Sequence, residues 1–286
     1  MIEEEDAVEF IDIDILVNMV KMAFAMENWE EVISLSQSLL ETAKAIASHP
    51  SKTSGERIET KRHISYYFGY SYLMQGLAFQ KLKQYALSIE CIEYYRDLSW
   101  LNDSTHEAIT IVEDFNKFAK ANLLTLDILT GNRNKLPEYT QFLQQNPDQI
   151  LSGLITILES AILYSYNVDH VLEPLRSHLR DASFYTEQVL ATKYLSYSFM
   201  LALYYSLNDH TQEAINISLH NLSLCDKLGN DKYFKKTIAL FETIKIYASV
   251  SQLEEYSRIL KIIFEGEISN EKGNRFSSSF SSSHFQ

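Results

Sequence analysis

The stretch Tyr70 to Trp100 reads YSYLMQGLAFQKLKQYALSIECIEYYRDLSW, and its reading decides the fold. It parses as two helices, a first one through Tyr72, Gly76 and Phe79 and a second one that begins at Tyr85 and carries Ser88 and Ile92. Helical periodicity continues on both sides of it. Leu16, Met19, Val20 and Ala23 mark one face, and Trp29, Val32, Ile33, Leu39 and Leu40 mark the next helix. Near the end, Tyr256, Ile259, Leu260, Ile263 and Phe264 form an i, i+3, i+4, i+7 stripe. No segment alternates polar and apolar residues long enough to argue for a sheet. With 8 Gly and 4 Pro in 286 residues, the punctuation of a strand-and-turn protein is scarce. The expectation is an all-α chain of stacked helical hairpins.

Helix boundaries fall where hairpins need them. Asn28-Trp29-Glu30-Glu31 and Ser104-Thr105-His106-Glu107 resemble capping boxes, and Gly131 and Gly229 suit left-handed C-terminal caps. Helices joined by a few residues lie antiparallel. The segment from about 49 to 62 breaks the pattern with Pro50, Gly55, Lys52, Arg57, Lys61 and Arg62, and reads as a long solvated loop. Residues 269–286 hold Phe among runs of Ser, a composition that cannot build a core, so they read as a disordered tail behind a helical domain spanning 1–268.

Composition narrows the function classes. The formal charge is −13, which argues against a nucleic-acid footprint, and Glu3, Glu4, Glu5, Asp6, Glu9, Asp12 and Asp14 make the opening acidic. Two cysteines, Cys91 and Cys225, in apolar helical contexts read as reduced core thiols. The chain has no signal-peptide pattern and no apolar run long enough to span a bilayer, so a cytoplasmic protein is expected. The 18 Tyr and 15 Phe suit a helical stack with a wet groove, because a tyrosine ring buries while its hydroxyl finds a polar partner.

The Tyr70–Trp100 unit resembles a tetratricopeptide repeat, whose period is about 34 residues. In that resemblance Tyr72 takes the first aromatic position and Gly76 the small position where helices touch. Phe79 is the next aromatic, Ser88 the second small position and Ile92 the large apolar one. Tyr95 and Trp100 depart from the pattern, which usually has Ala and Pro there. A small residue on each helix lets two backbones approach, and large residues around it seal the crossing. The stretch Leu201 to Leu222 fits more loosely, with Ala202 and Ala214 at the small positions. The resemblance implies degenerate repeats winding into a right-handed superhelix with a concave groove.

Long-period repeats rich in Tyr and Asn, with Glu93–Ser99, Phe118–Leu123 and Ile155–Ser160, also resemble the sensor regions of Gram-positive, Bacillus-type peptide-responsive helix-turn-helix regulators and the Rap-like quorum-sensing family. This implies a non-enzymatic regulatory module, the ligand-sensing region of a bacterial transcription regulator, whose groove binds a short peptide or a partner protein. The alternative is an interaction scaffold, such as an antirepressor or a response-regulator inhibitor or phosphatase. The acidic opening lacks a recognition helix, which departs from those repressors and argues against direct nucleic-acid binding by this chain. No membrane contact is expected, and homodimerisation is among the expected associations.

Motifs for chemistry are missing. There is no Cys-x-x-Cys, no His-Glu-x-x-His and no P-loop, and Gly131-Asn132-Arg133 is a helix-ending turn. No catalytic residues, metal ligands or cofactors are therefore nominated. First helices of stacked hairpins line the concave side, which nominates Tyr66, Tyr70, Leu73, Lys120, Asn122, Tyr194, Tyr197 and Tyr204 as peptide-binding residues. In this reading Asn122 bridges peptide backbone groups and Lys120 meets a peptide carboxylate.

Overall fold

The computed structural model describes residues 12–48, 60–180, 182–185, 188–263 and 265. Among them every regular element is a helix and no strand occurs. The order is α1 (Ile13–Ala25), α2 (Trp29–Ser48), α3 (Ile64–Lys81), α4 (Tyr85–Tyr95), α5 (His106–Leu129), α6 (Leu136–Gln145), α7 (Ile150–Tyr164), α8 (Asp169–Arg176), α9 (Gln188–Leu207), α10 (Thr211–Lys227) and α11 (Asp231–Ile244). A last helix, α12, covers residues 250–263. Among the described residues no helix is long and apolar enough to cross a membrane. Where the sequence reads as one domain over 1–268, the helices cluster into two compact units, Met1–Lys135 and Leu136–Gln286. The tail at 269–286 and most of the loop at 49–62 lie outside the described residues.

In the first unit each helix packs on the next, from α1 to α5. Gly76 and Ser88 meet as the spacing predicts: the Ser88 hydroxyl donates to the Gly76 carbonyl at 2.8 Å, and a Cβ on Gly76 would stand 3.2 Å from that of Cys91. Tyr95, a departure from the repeat pattern, is a core residue packed against Phe115. Gly69 serves a second close approach, since a Cβ there would sit 2.4 Å from the Phe115 ring. The face of α1 differs from its sequence reading. Leu16, Val20 and Ala23 are buried, but Met19 points outward with Ile15, Met22 and Met26.

In the second unit α9 packs on α7, α10 and α11. Its core gathers Ile215, Leu219, Leu240, Phe241, Tyr256 and Ile259. One polar link is buried there, from the Asn221 amide to the Thr237 hydroxyl at 2.9 Å.

Four hairpins, α1–α2, α3–α4, α9–α10 and α10–α11, share one connection of three residues whose middle residue is left-handed. These are Glu27 (φ 56°), Lys83 (φ 60°), Asp209 (φ 62°) and Gly229 (φ 61°). In each, the residue after the left-handed one donates its N–H back into the ending helix: Asn28 to Ala23, Gln84 to Phe79, His210 to Tyr205 and Asn230 to Cys225. That bond satisfies a carbonyl which the helix end would otherwise leave bare. Gly131 (φ 84°) ends α5 in the same way. At α5 the cap is Thr105 rather than Ser104: the Thr105 hydroxyl accepts from Ala108 N–H at 3.3 Å. Glu107 does not complete a capping box, because its carboxylate accepts from the His63 N–H at 3.0 Å.

Candidate functional site

In the second unit three helical stripes converge on an open cleft of about 620 Å³. From α8 and the turn after it come Glu173, Arg176, Ser177 and Arg180, spaced i, i+3, i+4, i+7. From α9 come Tyr194, Tyr197, Ser198 and Leu201 with the same spacing, and from α10 come Asn216, Ile217 and His220. Side chains three and four apart share a helix face, so the α9 row faces the cleft together, while Arg180 reaches it from the turn after α8.

Two tyrosines seat α8 against α9. The Tyr204 hydroxyl accepts from Val168 N–H at 3.0 Å and donates to Asp169 at 2.9 Å, which fixes the start of α8. Burial pushes the Tyr204 phenol up to about 12. Burial would also raise Asp169, its largest single influence, but the bonds from Asn167 and Tyr204 and the nearby His210 outweigh it and hold the carboxyl below its usual value. At the other end of α8, the Arg176 guanidinium donates to the Tyr205 hydroxyl at 2.9 Å and also engages Tyr197, a buried phenol whose pKa burial raises.

The second cation is held by an aromatic run. The Arg180 guanidinium lies over the Phe184 ring at 4.1 Å, and its backbone N–H donates to the Tyr185 hydroxyl at 3.3 Å. Tyr185 stacks on Tyr194 at 4.9 Å, and Tyr194 meets Tyr197 at 6.1 Å. On the α10 side the Asn216 carbonyl accepts from Gln252 at 2.8 Å, which leaves its N–H donors as the end to offer. The cleft can therefore hold a chain of mixed character, with tyrosine rings and Leu201 and Ile217 for apolar groups and N–H donors for acceptors.

No protein-family model, curated protein or solved structure matches this chain.

The residues nominated from sequence fall into two groups. Tyr194 and Tyr197 line the cleft, and Tyr204 lies fully buried beneath it, its hydroxyl spent on α8. The other five belong to the first unit. Tyr66 and Tyr70 stack at 5.4 Å, half-buried, with Arg62 over Tyr66 at 4.6 Å and Leu73 packed on the core beside them. Lys120 is exposed, whereas the Asn122 amide donates to the Tyr95 hydroxyl at 2.8 Å. Residues two apart on a helix do not face one another, so Lys120 and Asn122 address different surroundings.

Sequence reasoning missed Arg176, Arg180, Asn216 and His220. The one signal that could have found the pair of arginines is their i, i+4 spacing in an acidic chain. Both cysteines are free and buried, and burial pushes each thiol up to about 12, so neither is a ready nucleophile. Among the described residues, no three His, Cys, Asp or Glu side chains gather as a metal set.

Proposed function

We propose that the protein is a cytoplasmic, non-enzymatic regulatory module that binds a short peptide, and that the α8–α9–α10 cleft is where the peptide sits. Its hairpins are read as degenerate tetratricopeptide repeats, stacked in the right-handed sense of that fold, and its role as the sensing region of a bacterial peptide-responsive regulator. What supports the reading is the cleft itself. Its size suits a few residues of chain, one wall carries two tyrosines while the others carry polar and aliphatic groups, and its donors lie on three separate helices. A peptide in a helical groove has no strand edge to pair with, so its backbone acceptors need side-chain donors such as Asn216 and Ser198. A buried acceptor left without one costs about 1–3 kcal/mol.

One observation favours the alternative, an interaction scaffold or a homodimer. Ile15, Met19, Met22 and Met26 form an exposed apolar stripe along α1, spaced i, i+4, i+7, i+11. Methionine-rich faces adapt to protein partners.

Affinity selection separates the two readings. The full chain is incubated with a random heptapeptide library, ultrafiltered, and the retained peptides are read by mass spectrometry. Retention that falls about tenfold or more in Tyr194→Ala is expected, the loss of one stacked ring being worth about that much. Retention of no peptide would overturn the peptide reading, and retention indifferent to Tyr194→Ala would remove the cleft from it.

A further inference from the structure

We infer that the cleft selects peptides by a carboxylate, held between Arg176 and Arg180. This rests on the peptide reading above and adds to it the chemistry by which the ligand is recognised.

Arg176, Arg180 and Asn216 line the cleft and carry donors, and Glu173 is the single acid among its described lining residues. Glu173 offsets the charge of Arg176 only loosely. Its carboxylate stands 3.8 Å from Arg176, beyond a tight ion pair, and its side chain is 86% exposed. A guanidinium carries five donors in a planar fork, and the bonds to Tyr205 and Tyr197 occupy only part of that fork. The acceptors these bonds reach are phenols, which hold Arg176 in place without cancelling its charge.

Both cations are also positioned in advance. Tyr205 and Tyr197 fix Arg176, and the Phe184 ring fixes the plane of Arg180. An arginine that is already oriented gives up less side-chain freedom on binding, and its fork matches a carboxylate edge-on. In a chain of net charge −13, the described lining residues of the cleft set two arginines against one acid, and that acid faces solvent. The apolar wall then reads the rest of the ligand: Leu201 and Ile217 lie within the same cleft, and Tyr194 supplies a ring face.

Two parts of a peptide carry a carboxylate, the C-terminus and an Asp or Glu side chain, and the test separates them. Four N-acetylated random heptapeptide pools are offered to the full chain by ultrafiltration and mass spectrometry. Two pools end in a free acid and two in an amide, and one of each kind omits Asp and Glu. The expected result is that the amidated pool without Asp and Glu is retained at least about tenfold less than a pool carrying the favoured carboxylate, the weaker end for charge-assisted hydrogen bonds.

Arg180→Gln should bring the favoured pool down to that level with the thermal midpoint unchanged, because Arg180 contacts an exposed ring. Arg176→Lys, which keeps the charge and loses the fork, should fall between the two. Equal retention of all four pools by the wild-type chain would overturn the carboxylate inference while the peptide reading stood. Retention of none would overturn both. Displacement of the favoured pool by equimolar inorganic phosphate would also overturn the inference, since it would mark an anion site indifferent to the peptide.

Discussion

Tyr67 and Tyr204 play the same part in the two units. Each buried hydroxyl accepts a backbone N–H at the start of a helix and donates to an aspartate: Tyr67 takes Arg62 N–H and gives to Asp14, and Tyr204 takes Val168 N–H and gives to Asp169. The arrangement needs the phenol protonated. Burial raises both phenols to about 12, so the folded state resists their ionisation. A group whose folded pKa is raised contributes its stability in full below the unfolded value, near 10 for tyrosine, and loses it as pH climbs through the folded value. The expected outcome is a thermal midpoint that is flat from pH 7 to 9 and falls between about 10 and 12. Tyr204→Phe should remove part of that fall and cost about 1–3 kcal/mol at neutral pH, because Val168 N–H is left without its acceptor. A variant with the wild-type alkaline profile would show that the hydroxyl does not make these bonds.

The element that recurs is the three-residue hairpin link, and its chemistry explains why the sequence was only partly readable. Gly229 announces its link, because glycine enters the left-handed region freely. Glu27, Lys83 and Asp209 fill the same position without that signal, and there the left-handed backbone costs about 1–2 kcal/mol relative to the right-handed one. Packing of the flanking helices overrides this local preference. Lys83→Gly should therefore raise stability, by about 0.5–1 kcal/mol after the greater freedom of glycine in the unfolded chain is offset. Gly229→Ala should lower it by about 1 kcal/mol, and by backbone strain alone, since nothing lies within 4 Å of the added methyl. Chemical denaturation of the two variants checks both signs. A loss of stability in Lys83→Gly would mean that the link is not left-handed in solution.

Other elements were legible for plain reasons. The Gly76–Ser88 crossing could be placed because two small residues interrupt runs of large ones, a pattern with a single packing solution. The cleft could not. Arg176 and Arg180 are close in sequence, but they face tyrosines only through the bonds of Tyr204 and Tyr205 to α8, contacts with no local signature. Tyr194 and Tyr197, nominated from sequence, do line the cleft, because a tyrosine row on one helix face is visible in sequence. Asn122, nominated as a ligand group, gives one amide N–H to Tyr95, 27 positions earlier, a contact that nothing local reveals.

At the scale of the whole molecule, the two units offer a ligand different chemistry. The first presents the Tyr66–Tyr70 stack and an apolar stripe on α1, and the second presents the arginine-lined cleft. Among the described residues, the second unit brings oriented donors and tyrosine rings into one cleft, which is what a short peptide needs to offset the entropy of being ordered. The most direct test is hydrogen–deuterium exchange of the full chain with and without the best-retained heptapeptide. Peptide-dependent slowing confined to residues 169–180, 188–204 and 211–222 is the expected result. Slowing confined to residues 64–81 and 106–129, with the cleft helices unchanged, would contradict the account.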